Sequence, residues 1–111
     1  MNSVSLSIYQ GDTASMVFNF KDGAGVVVPL TGKTLTVTAK KSLEDADSDA
    51  VFQKAVTSHT NAAGGVTTVS LTSMDTATLG NLWIDAVLSG GGDVRTLFVG
   101  SLTIARRVKD V

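Results

Sequence analysis

His59 is the single histidine in the 111 residues, and it lies in the polar run Thr57-Ser58-His59-Thr60-Asn61. A general base or metal ligand needs a second titratable group, or an apolar pocket, to set its pKa and hold its ring. Nothing in this run supplies either, so His59 reads as a solvated loop residue. Glu44, Asp45, Asp47 and Asp49 alternate carboxylates that could approach a calcium ion. They lack the glycine and the closing bidentate glutamate of an EF-hand loop, so they read as a flexible solvated loop with weak cation binding as the rival. Serine and threonine abound, but no GxSxG elbow surrounds any of them. Gly90-Gly91-Gly92 is not followed by the Lys and Ser/Thr of a phosphate loop and reads as a hairpin tip. Cysteine is absent, which removes thiolate nucleophiles, disulfides and cysteine zinc sites. No residue is assigned to catalysis, cofactor or metal, and the expectation is a protein that is not an enzyme.

The remaining chemistry is that of surfaces. Trp83 and Tyr9 are aromatics with a polar handle, and strand parity puts Trp83, Asp85 and Val87 on the face opposite Leu82, Ile84 and Ala86. An exposed Trp serves either as a ligand platform or as an interface anchor. Arg106, Arg107 and Lys109 form a small basic stretch without interleaved aromatics, a solvated or partner-facing strand end rather than a nucleic-acid tract. The possible interface residues are therefore Trp83, Tyr9, Val87, Arg106 and Arg107. Nine basic against ten acidic side chains leave a formal net charge of −1, which gives no field for steering toward nucleic acid or an anionic membrane.

These side chains must be positioned by strands, because period two governs the chain. Val4, Leu6 and Ile8 alternate with serines; Met16, Phe18 and Phe20 alternate with Val17 and Asn19; Leu35, Val37 and Ala39 alternate with threonines. Further strands are expected at Val51–Val56, Val66–Leu71, Leu82–Leu88, Val94–Val99 and Leu102–Val108. Residues 1–9 are expected to be either an integral strand or an arm that orders on assembly. Lys21-Asp22-Gly23-Ala24-Gly25, Asn61-Ala62-Ala63-Gly64-Gly65 and Ser89-Gly90-Gly91-Gly92-Asp93 supply the glycines that hairpin loops need. One helical turn is expected at Thr72–Leu79, capped by Thr72 or Ser73 and ended by Gly80. About eight short strands at such spacing predict an all-β, antiparallel two-sheet sandwich, residues 1–111 as one domain, with Met16, Phe18, Leu35, Val37, Ile84 and Leu97 in the core.

The N-terminus lacks a basic region followed by an apolar block, so no secretory signal is expected, and no apolar run approaches the ~20 residues that cross a bilayer. Hydrophobic residues at 43 % argue for a folded chain, and 17 % charged residues leave a surface suited to cover by neighbours.

Gly11-Asp12-Thr13 opening a strand, Asp22-Gly23 with Gly25 in a hairpin, and Leu30-Thr31-Gly32 before a threonine-rich strand come in a particular order. Asp75-Thr76 and Leu79-Gly80 before Trp83-Ile84-Asp85, then Gly92-Asp93, Arg95-Thr96-Leu97 and Gly100, continue it. Over about residues 8 to 108 this order resembles the immunoglobulin-like N-terminal domain of phage upper baseplate proteins and related small tail proteins. Leu82 and Ile84 stand where that family commonly has tyrosines. The resemblance implies an immunoglobulin-like sandwich and a virion structural role, assembled in the host cytoplasm, with other phage structural proteins and copies of itself as partners. It carries no catalytic residues. Asp12 would accept backbone N–H bonds at a strand start, and Asp85 would pair or cap near a hairpin. Two rivals stand beside it: a glycan- or receptor-binding sandwich using Trp83, Tyr9 and loop carboxylates, and a capsid-surface or head-to-tail connector protein.

Overall fold

A computed structural model describes residues 2–21 and 24–108, with side chains from Ser5 onward. The Asp22-Gly23 turn, Lys109 and the side chain of Val4 lie outside the described residues. Seven strands run in chain order within them: β1 (Asn2–Tyr9), β2 (Ala14–Asn19), β3 (Thr34–Lys40), β4 (Phe52–Val56), β5 (Val66–Leu71), β6 (Gly80–Gly90) and β7 (Asp93–Ala105). They form a five-stranded sheet of order β1-β7-β6-β3-β4 and a two-stranded sheet β2-β5.

Alternation decides which face each strand buries. In β3, Leu35, Val37 and Ala39 are fully shielded while the threonines between them are half-exposed. Leu82, Ile84, Ala86 and Leu88 of β6 and Phe98, Leu102 and Ile104 of β7 face the same way, toward Phe18, Val69 and Leu71 of the smaller sheet. Phe18 and Phe98 meet across the core with ring centroids 5.3 Å apart. Each such side chain contributes about 1.5–3 kcal/mol on burial, so this shared apolar layer is what joins the two sheets.

Several expectations need correction. The sheet is not wholly antiparallel: β1 pairs with β7 in parallel, from Asn2 opposite Phe98 to Tyr9 opposite Ala105. A parallel neighbour needs a long connection, and β1 has one, because the whole chain returns before β7 forms. Residues 2–9 are thus a paired strand. Val94–Val99 and Leu102–Val108 are a single strand through Gly100, ending at Ala105, with Val108 fully exposed outside it. Of the six expected core residues, Phe18, Leu35, Val37 and Ile84 are buried, whereas Met16 and Leu97 are only partly so. Leu97 is displaced by a bulge: Ala86 pairs with Phe98 and Val87 with Thr96, leaving Leu97 unpaired. That shift lets Phe98, Leu102 and Ile104 point inward; the opposite phase would have buried Ser101 and Thr103.

Residues 72–79 form turns rather than a helix, held by separate bonds from the Asp75 N–H to the Thr72 carbonyl and from the Ala77 N–H to the Met74 carbonyl. The expected cap is nevertheless present. The Asp75 N–H donates to Thr72 Oγ1 at 3.3 Å, and the Thr72 N–H donates back to Asp75 Oδ2 at 2.8 Å. The short helix lies instead in the acidic segment, a 3-10 turn at Asp47–Asp49, so that loop is partly ordered. The β6–β7 hairpin is closed by Gly91 and Gly92 at φ 62° and 86°. Two successive positive φ values define the type I′ turn that matches strand twist, and glycine adopts them without Cβ strain.

Candidate functional site

The core accounts for one face of the five-stranded sheet; the other face holds the unexplained side chains. Register places Trp83 beside Ser101 and Lys40, Asp85 beside Thr38 and Val99, and Val87 beside Thr36. The face extends over β1, where Ser5 and Ser7 lie opposite Ser101 and Thr103, and over β4, where Gln53 lies opposite Thr38. Short hydroxyl side chains make up much of it. Trp83 rises from it 46 % exposed.

A groove of about 380 Å³ runs along this face between Trp83, Val87 and Val99 on one side and Thr38, Gln53 and Leu43 on the other. Its rim is an ion pair, Lys40 Nζ to Asp47 Oδ1 at 2.8 Å. The Lys40 ammonium, helped by the Gln53 amide, holds the Asp47 carboxyl below the ordinary carboxylate range. Gln53 Nε2 also donates to Thr38 Oγ1 at 3.1 Å. Lys40, Asp47, Gln53 and Thr38 are thus tied to one another along this rim.

Asp85 differs. It was expected to pair or cap near a hairpin; it sits instead in the middle of β6, and its Oδ1 is shielded from water with no hydrogen-bond donor among the described residues. Burial raises its pKa above the ordinary carboxylate value, against the pull of Lys40. A shielded acceptor without a donor is destabilising, and native folds keep few of them. The arrangement sets a half-exposed indole and a carboxylate side by side in a groove open to other molecules.

The other candidates are dispersed. Val87 is half-buried beside Asp85, so the structure brings Trp83 and Val87 together. Tyr9 is 59 % exposed but lies at the β1 edge, with β7 between it and β6. Arg107 Nη1 donates to Asp12 Oδ1 at 3.0 Å, so Asp12 holds an arginine rather than backbone N–H groups. Arg106 is exposed beyond the end of β7.

His59 is not a solvated loop residue. Its Nε2 lies 2.7 Å from the Lys33 carbonyl and its Nδ1 lies 2.9 Å from Thr67 Oγ1. The carbonyl has no proton to give, so Nε2 carries the hydrogen and Nδ1 accepts from Thr67, whose hydroxyl is fully buried. The ring ties the loop after β4 to β5 and to the segment before β3. The acidic residues are likewise dispersed, Asp45 accepting the Ser42 N–H and Asp47 holding Lys40.

Asp85, Thr38 and Gln53 were missed as site residues. The parity that exposed Trp83 already put Asp85 beside it, but pairing with β3 and β4, which brings Thr38 and Gln53, is not written in any local pattern. No protein-family model matches this chain, and no curated protein matches it.

Proposed function

We propose that this chain is a non-enzymatic structural module of a phage particle, a tail or baseplate component that acts through protein–protein contacts on the outer face of its five-stranded sheet. The observation that carries the reading is the half-exposed Trp83 standing on a hydroxyl-rich face. Leaving so large an apolar surface wet is unfavourable, and burying it against a partner is the usual way such a residue anchors an interface. The open edges at β1 and β4 support it too, because unpaired strand edges are normally covered.

The finer description, an immunoglobulin-like sandwich, draws support from strand order. In that fold the second and fifth strands pair in one sheet while the third, sixth and seventh share the other; here β2 pairs with β5, and β7-β6-β3 run side by side. The virion assignment rests on the resemblance of the sequence to small tail proteins. A capsid-surface or connector position uses the same face. A second reading, glycan binding, is favoured by the groove itself, where a sugar ring would stack on Trp83 beside the Asp85 carboxyl.

Mass spectrometry of purified particles from a phage that encodes this chain tests the main reading. The chain is expected in the particles in stoichiometric copies, located by antibody labelling on the tail or baseplate. Its absence from intact infectious particles overturns the proposal.

A further inference from the structure

We infer that the Trp83–Asp85 groove receives the Arg106 guanidinium of a second copy of this chain. The inference rests on the assembly reading above and names the partner and the chemistry for that face.

Two groups that line the groove favour the same kind of occupant. Asp85 lines the groove and brings a carboxylate to it, and a charge-assisted N–H bond suits a carboxylate best. The half-exposed indole of Trp83 attracts cations over its face, arginine most often. The one lysine on the rim, Lys40, is held by Asp47 and balances it, so the groove keeps the net negative charge of Asp85. A neutral ligand would meet only half of what is presented.

The chain carries the complement. Arg106 is exposed, lies outside the strands and has no ion pair or hydrogen bond among the described residues. Its neighbour Arg107 is fastened to Asp12 at 3.0 Å, which fixes the backbone on which Arg106 is presented. That preorganisation lowers the entropy lost on docking. Gly80 pairs with Ile104, so Arg106 lies just past the end of the sheet near which Trp83 stands. In a two-fold pair each copy can offer its Arg106 to the other's groove, and the contact forms twice.

Sedimentation velocity of the full chain across a concentration series tests this, read together with the emission of Trp83, the only tryptophan. Reversible self-association with a blue shift of Trp83 emission is expected. Arg106→Ala, on exposed backbone where folding is not at risk, and Asp85→Asn should each raise the dimer Kd at least about tenfold. The charge exchange Asp85→Arg with Arg106→Asp in one chain should restore association. A strict monomer at every concentration, or association that ignores both single substitutions, overturns the inference; so does a blue shift produced by methyl glycosides and not by arginine amide. A strict monomer that is still found in phage particles would sink this contact alone, whereas dimers in a chain absent from particles would sink only the virion assignment.

Discussion

Replacing Asp85 by Asn should stabilise the protein, although it removes a charged side chain from a surface face. The wild-type carboxylate has one oxygen shielded from water without a donor, flanked by Trp83 and Val87 on its own strand and by Thr38 and Val99 across it. An orphaned acceptor of this kind costs about 1–3 kcal/mol. Because Asp85 is only half-buried and feels Lys40, the lower end applies, about 1 kcal/mol, or about 4 °C in Tm for a domain of this size. The pH dependence follows from the sign of the shift. Burial raises the folded pKa above the unfolded value of about 4, so the folded state holds this proton more tightly. Below the unfolded value both states are protonated at this position and its penalty vanishes. As pH rises through the folded value the penalty develops fully, so the advantage of Asn should be complete at pH 7 and shrink toward zero as pH falls below about 4. Urea denaturation of both proteins from pH 3 to pH 8 measures it. A variant less stable than wild type at pH 7, or a difference that does not change with pH, refutes the reasoning.

Asp75→Asn should act in the opposite direction. Burial alone would push the Asp75 carboxyl up, but Lys54 at 2.8 Å and the Thr72 N–H and hydroxyl outweigh it and leave it below the ordinary value. Loss of about 1–2 kcal/mol is expected at pH 7, fading as pH falls from about 4 through the depressed folded value, as denaturation at several pH values will measure. His59→Ala strands the buried Thr67 hydroxyl and frees the Lys33 carbonyl, so about 1–3 kcal/mol of stability should disappear, and His59→Ala with Thr67→Val should recover part of it. Gly65→Ala puts a Cβ 2.8 Å from the backbone oxygens of Phe20 and Val28 at φ +71°, and thermal unfolding should report a loss of at least about 2 kcal/mol. The same change at Gly25, whose Cβ would meet nothing within 4 Å, should produce a smaller loss.

The strands were legible wherever alternation was clean. Leu35-Thr36-Val37-Thr38-Ala39 and Leu82 to Leu88 state their buried face directly, and the exposure of Trp83 follows from the second of them. What eluded the sequence depended on neighbours distant along the chain. The bulge at Leu97 inverts the phase of half a strand, and only the pairing with β6 reveals it. The parallel seat of β1 beside β7 is set by where the chain returns, since Leu6 and Ile8 would serve an antiparallel partner equally well. His59 looked solvated because its run is polar, whereas its two partners, Lys33 and Thr67, come from separate segments. Asp85 was expected to pair or cap near a hairpin, whereas its place in the middle of β6, with one oxygen shielded, is set by the strands on either side of it.

Whether partners cover the Trp83 face is open to direct measurement, because the chain contains no cysteine and a single introduced thiol is unique. Gln53→Cys places it on the groove wall, and Val17→Cys, 60 % exposed on the outer face of the smaller sheet, serves as the reference. Maleimide labelling of the isolated protein, diluted until it is monomeric, should modify both at similar rates. In assembled particles the thiol at position 53 should be protected at least about tenfold relative to the thiol at position 17, as expected for a site inside a desolvated contact. Equal labelling of the two positions in the particle would contradict the account.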